Sequence, residues 1–138
     1  MKAIASFDHG LKKEGAIGLT DDGAYALAQD DFTRLALFDL KAKKAVRQWR
    51  GHGSGRKEGR VNGVVQIKSV PGRHVFATSD FIGYVRFWDV EGKKVGELSG
   101  LGQPATVTSF SDDGKLLATG GARKPIVLWD VEKILPRK

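Results

Sequence analysis

The chain has 138 residues, 23 Lys and Arg against 16 Asp and Glu for a formal charge of +7, 18 glycines, four prolines and no cysteine. One compact domain fits this length, and 41% apolar residues can build a real core, which excludes a disordered tail and a multi-domain enzyme. Without cysteine there is no disulfide, no thiolate nucleophile and no Cys-based zinc site, which suits a reducing compartment. Apolar runs fall far short of the ~20 residues of a spanning helix, and residues 1–7 are too short for a signal-peptide core before Asp8 and His9. A soluble, cytoplasmic protein is expected.

In chain order the first predicted element is a strand at 2–7, patterned like 44–49 and 94–98. Residues 19–28 carry the turn Asp21, Asp22, Gly23 and lead to the apolar run 35–39, which ends in Phe38 and Asp39. After 44–49 comes the Gly/Arg-rich stretch 51–60, expected to be a flexible inserted loop, and then a strand over 61–70 rich in β-branched residues. Pro71 and Gly72 mark the next turn, before 75–80 and the alternating run 84–89 that ends in Trp88 and Asp89. Residues 106–110, the turn Asp112, Asp113, Gly114, and the runs 116–121 and 126–130 repeat the pattern, ending in Trp129 and Asp130. Residues 131–138 show too little pattern for another strand. No window places apolar residues at helical spacing over three turns, so helix is the poorer reading throughout. About twice the usual ~7% glycine fits so many hairpin turns.

Three segments therefore align. Trp88 and Trp129 are 41 residues apart and Phe38 and Trp88 are 50 apart, the excess falling in the 51–60 insertion. Two in-phase Trp-Asp pairs, one Phe-Asp pair, Gly51 with His52 and two equivalent Asp-Asp-Gly turns resemble the WD-repeat β-propeller family, from Lys2 to Asp130, whose period is about 40–45. The resemblance implies an all-β fold of three four-stranded blades, near 8–49, 50–98 and 99–138, in a single domain spanning 1–138. Propellers close rings of typically four to eight blades, so three cannot close alone. The family's N-terminal strand often completes the last blade. Here strand 2–7 is expected to pass to a second copy, giving a six-bladed homodimer by strand exchange; the alternatives are a nine-bladed trimer and a piece of a longer propeller.

The family's blades are pinned by hydrogen bonds among a His, a Ser or Thr, an Asp in the third hairpin turn, and the Trp. Counting back from Trp88 and Trp129 puts Thr78 and Thr119 in the hydroxyl slot, and Ile82, Arg123 and Phe32 in the Asp slot. Leu101 stands where the third repeat would have His. His52, Thr78 and Trp88 are then the best partial set, Thr119 with Trp129 a poorer one, and His9 has lost both partners, with Ala28 in its hydroxyl slot. A structural role is expected for each. His74 is expected on an exposed turn.

No constellation favours catalysis. The serines fall on repeat positions without a nucleophile elbow, and the pairs Asp21 and Asp22, Asp30 and Asp31, Asp112 and Asp113 read as turn formers, since neighbouring strand residues face opposite ways. Three dispersed histidines give no metal spacing, and 51–59 lacks the glycines and the following helix of a phosphate loop. No enzyme, metal or cofactor is expected. Lys12, Lys13, Arg56, Lys57, Arg60, Arg123 and Lys124 should gather on one face, opposite the Asp-rich turns. As a rigid scaffold's basic loops they are the candidate contact surface for a protein partner; the alternative is a nucleic acid or other polyanion.

Overall fold

The same short turn is built three times along the chain, and it sets the pitch of the structure. The computed structural model describes residues 3, 6, 11, 15–31, 33–52, 56–57, 60–61, 63–99, 107–121 and 124–137. In each turn a backbone N–H reaches five residues ahead: Thr20 to the Tyr25 carbonyl at 3.0 Å, Val70 to Val75 at 2.8 Å and Ser111 to Leu116 at 3.0 Å. Gly23, Gly72 and Gly114 occupy its left-handed position, with φ of 74°, 76° and 71°, a conformation glycine adopts without steric cost.

Antiparallel strands extend from these turns. The first sheet orders β1 (Ile17–Leu19), β2 (Tyr25–Gln29), β3 (Arg34–Asp39) and β4 (Lys44–Arg50). The hairpin β5 (Arg56–Lys57) and β6 (Arg60–Val61) follows, so the stretch expected to be a flexible loop contains a two-stranded ladder. The second sheet is β7 (Val64–Ser69), β8 (Val75–Asp80), β9 (Val85–Asp89) and β10 (Lys94–Leu98). The third is β11 (Val107–Phe110), β12 (Leu116–Gly121) and β13 (Lys124–Asp130), three-stranded among the described residues. The described residues are thus all-β apart from one helical turn, and the sheets are compatible with propeller blades. Of the strand expected at 2–7 only residues 3 and 6 are described, and neither lies in a strand.

Strand alternation gives each sheet two apolar faces, and adjacent sheets bury them against each other. Leu27, Leu35 and Leu37 of the first sheet meet Val64, Ile67, Phe76 and Trp88 of the second. Ala77, Val85 and Phe87 of the second sheet in turn meet Leu117 of the third. The inner strands run side by side, β1 beside β7 and β7 beside β11. Their contact is close: an added Cβ on Gly18 would lie 2.8 Å from Ile67 Cγ2. Gln66 ties the second junction, its Oε1 accepting from the Thr108 N–H and hydroxyl at 2.9 Å each.

The aspartates that close the three Trp/Phe-Asp pairs share one task. Asp39 Oδ1 accepts from the N–H groups of Lys41 and Ala42, both at 3.0 Å, and Asp89 Oδ1 from Glu91 at 2.9 Å and Lys93 at 3.0 Å. These bonds start the turn into the outer strand. Asp130 Oδ1 accepts from Glu132 N–H at 3.0 Å and instead N-caps α1 (Val131–Ile134), a helix that the sequence pattern did not predict. The helix carries Val131 and Leu135 into the core between the second and third sheets. There Leu135 Cδ2 lies 3.0 Å from where a Cβ on Gly96 would stand, and Arg73 fastens the tail by donating to the Leu135 carbonyl at 2.6 Å and to Glu132 at 2.9 Å. Leu135→Ala should cost about 2–5 kcal/mol through the cavity it leaves. Urea unfolding checks this, and an unchanged midpoint would show that α1 is not docked.

Candidate functional site

An extended buried network of polar side chains lies at the mouth of the second sheet. Gly51 and His52 follow β4, and both backbone N–H groups bond the Thr33 carbonyl, at 2.8 and 3.3 Å. Gly51 is packed so tightly that a Cβ would run into the Leu35 side chain, with Trp88 at 3.5 Å. This places the buried His52 ring between two partners: Nδ1 lies 2.8 Å from Asp80 Oδ2 and Nε2 lies 2.7 Å from Thr78 Oγ1. Trp88 Nε1 donates to the same hydroxyl at 2.9 Å. A carboxylate can only accept, so in the neutral imidazole the proton sits on Nδ1, and Nε2 accepts the Thr78 hydroxyl proton. The polarity then runs one way, from Trp88 through Thr78 and His52 to Asp80. Asp80 Oδ1 also accepts from the N–H groups of Ile82 at 3.1 Å and Tyr84 at 2.9 Å. One residue thus shapes the β8–β9 turn and anchors the histidine.

The acid of this network is Asp80, two residues before the Ile82 slot that counting assigned, so the second repeat holds a complete set of four. A signal for it was present: Asp30 stands two residues past Ala28 as Asp80 stands two past Thr78. The two aspartates make equivalent backbone bonds, Asp30 N–H to Arg34 and Asp80 N–H to Tyr84. In the first sheet Ala28 and Phe38 replace the hydroxyl and the indole. In the third, Trp129 Nε1 donates to Thr119 Oγ1 at 2.9 Å, and Gly121 stands in the acid's place. Phe32, Leu101, Arg123 and His9 lie outside the described residues.

The turns at the opposite ends of the strands also touch. Asp21 Oδ2 accepts from Gly72 N–H at 2.8 Å, and Asp22 Oδ2 meets His74 Nε2 at 2.5 Å. His74 is half exposed but far from idle, since its ring also stands edge-on to Tyr25 at 5.1 Å. Asp22 Oδ1 accepts from the Thr20 hydroxyl at 2.8 Å and Ala24 N–H at 2.9 Å, as Asp113 Oδ1 does from Ser111 at 2.7 Å and Lys115 at 3.0 Å. The paired aspartates therefore point to different partners. His74 first, then the Ala24 N–H and Thr20 hydroxyl, hold the Asp22 carboxyl down at about 2 against an ordinary 3.8. Among the described residues no group of three or more His, Asp or Glu could hold a metal.

Of the expected basic surface, Lys12, Lys13 and Arg123 lie outside the described residues. Arg56, Lys57 and Arg60 fall on the backbone of the β5–β6 hairpin, and Lys124 opens β13. Two surfaces among the described residues are apolar. Beside the first sheet, an open trough of about 600 Å³ is lined by Leu11, Ile17, Leu19, Ala26, Ala28 and Phe38. At the far end the third sheet exposes Val107, Leu116, Ile126 and Leu128.

The chain is 31% identical over 112 residues to the anaphase-promoting complex subunit cdc20 of Dictyostelium discoideum, covering 81% of this chain and 21% of that protein. It spans about a fifth of the length of this curated relative. No protein-family model matches. The similarity to this WD-repeat protein points to a WD40-like fold. No helix among the described residues is long and apolar enough to cross a membrane.

Thr78 bridges a buried donor, the Trp88 indole N–H, and a buried acceptor, His52 Nε2, where Thr119 accepts from the Trp129 N–H. Thr78→Val should cost about 1–3 kcal/mol for the buried groups it orphans, and Thr119→Val distinctly less. Equal midpoints in chemical denaturation would contradict this ordering. The lowered carboxyl of Asp22 adds stability that is full above pH 3.8 and is lost as pH falls toward 2. Asp22→Asn should flatten the acid limb of thermal stability over that window, and an unchanged limb would show the His74 pairing to be inconsequential.

Proposed function

We propose that the chain is a non-catalytic protein-interaction platform, built from WD-type blades and closed into a six-bladed ring by a second copy, with strand 2–7 exchanged onto the β13 edge. The observation that carries the reading is how the chain uses its buried chemistry. His52, Thr78, Asp80 and Trp88 satisfy one another completely, at 2.7 to 2.9 Å, and so form a pin that stiffens a blade. Rigid blades hold loops in fixed positions, which is what a recognition surface needs. The relative is by name a subunit of a complex, in keeping with protein partners. The contact surface in this reading is the set of basic loops, Lys12, Lys13, Arg56, Lys57, Arg60, Arg123 and Lys124. They would meet an acidic partner. The Thr78 and Thr119 pins have a structural role in this reading, and the protein works in the cytoplasm without a cofactor.

Light scattering should give a mass about twice 15.0 kDa, unchanged between low and high salt because apolar contacts are not screened. A single-chain mass would contradict the ring. A labelled RNA oligonucleotide bound with steep salt dependence would move the function of the basic loops to a polyanion.

A further inference from the structure

The outer strands β4 and β10 hold the same place in their sheets but carry different charge. In the second sheet Glu97 balances its neighbours, accepting from Lys94 Nζ at 2.5 Å and lying 3.5 Å from Arg86 Nε. The ladder step that sets Arg86 opposite Glu97 corresponds in the first sheet to Ala36 opposite Gln48, so that ion pair is gone. Residues 40–50 then hold five cations, Lys41, Lys43, Lys44, Arg47 and Arg50, and no acid. All five are exposed, and none of their side chains makes an ion pair or hydrogen bond among the described residues.

Two features of this edge work against stability. Arg34 and Arg50 stand directly opposite each other in the β3–β4 ladder, both exposed, and like charges so placed repel. Asp31 acts on Arg34 and leaves Arg50 unmatched. Lys43 has a φ of 56°, the non-glycine residue with positive φ among the described residues. It precedes the residue that faces Asp39, just as Gly92, with φ 80°, precedes the residue whose carbonyl meets the Asp89 N–H. A lysine held where the twin turn has glycine costs about 1 kcal/mol or more. Strain and repulsion, kept together with uncompensated charge, mark a surface shaped for something other than the fold.

β4 is also the last strand of its sheet, so its outer backbone groups have no ladder partner among the described residues. An edge lined with cations repels another like itself and blunts self-association, while a strand of opposite sign is drawn to it. We propose that β4 takes an extended acidic segment of a partner protein as an added strand, with carboxylates set against Lys43, Lys44, Arg47 and Arg50. Backbone pairing supplies affinity and the cations supply choice. The register of β4 slips once, beside Val46, so the regular stretch on offer is 47–50, with Lys43 and Lys44 beyond the bulge. Single-stranded nucleic acid suits this edge less well, because its bases need aromatic platforms. Trp49, the aromatic residue of β4, is turned to other work: its ring lies 5.8 Å from that of Trp88, and a Cβ added to Gly92 would stand 3.2 Å from its Cε3. This surface is separate from the basic loops and does not rest on the two-copy reading.

Fluorescence anisotropy of a dye-labelled peptide of alternating Glu and Val, titrated with the full chain at low salt, tests this. The peptide should bind, and Arg47→Glu with Arg50→Glu should weaken it about tenfold or more. Lys68→Glu with Lys115→Glu, an equal charge change at exposed positions elsewhere, should leave binding close to that of the unaltered chain. Equal losses from the two double variants would reduce the effect to net charge and overturn the site. Methylating alternate backbone nitrogens of the peptide removes ladder donors and no charge, so binding should fall again; undiminished binding overturns strand addition. Lys43→Gly should move two readouts in opposite directions, raising the urea midpoint as the strain goes and weakening the peptide as the charge goes. Peptide binding unchanged by Lys43→Gly overturns the part given to Lys43. An RNA oligonucleotide that binds through Arg47 and Arg50 where the peptide does not bind overturns the proposal in favour of a polyanion site. The mass of the unaltered chain by light scattering is read apart from all of these, so failure here leaves the two-copy reading standing.

Discussion

A β-sheet with two apolar faces must have both covered, and that constraint governs this molecule. Leu35 and Leu37 cannot be left to water at a cost of about 1.5–3 kcal/mol each, so the second sheet lies on them, and its own trailing face demands a third. The close approach shows in the residues that cannot grow: Gly18 against Ile67, Gly51 against Leu35, Gly96 against Leu135. The helical turn α1 belongs to the same logic, because Val131 and Leu135 fill the space beside Phe87 that a sheet alone leaves open.

Polar chemistry is subordinate to this stacking and holds it in register. The Thr78 hydroxyl joins β8 to Trp88 on β9 and to His52 beyond β4, so one network spans two sheets. Asp21 and Asp22 reach from the first sheet's turn to Gly72 and His74 of the second and staple the opposite end. Held at both mouths, the stack presents its turns as a rigid array. Fold alone does not name a partner, and the protein-binding reading draws on how this polar chemistry is spent and on a relative that is by name a subunit of a complex.

Much of this was legible in the sequence because turn chemistry repeats with the fold. Asp, Gly and Trp or Phe recur in phase, and each strand ladder forms around those marks. Asp80 falls outside the slot obtained by counting back from Trp88; its recurrence as Asp30, two residues beyond the hydroxyl position, is the better guide. α1 escaped notice because a four-residue helix has no periodicity to read, and its signal is the N-cap Asp130 in the same role as Asp39 and Asp89. His74 reads as a lone turn residue until the fold brings Asp22, distant in sequence, to its ring. The exposure of Ile126 and Leu128 was illegible, since both look like ordinary core residues until the outer face of the third sheet is seen to lack a neighbour among the described residues.

The central claim is that the two end faces are covered together by a second copy. Hydrogen exchange across a dilution series, read at residues 17–19 and 126–130, tests it most directly. The account predicts that both segments are protected at high concentration and lose protection in parallel on dilution, while β2, β3, β8 and β9 stay protected. Free exchange of both segments at every concentration would contradict it.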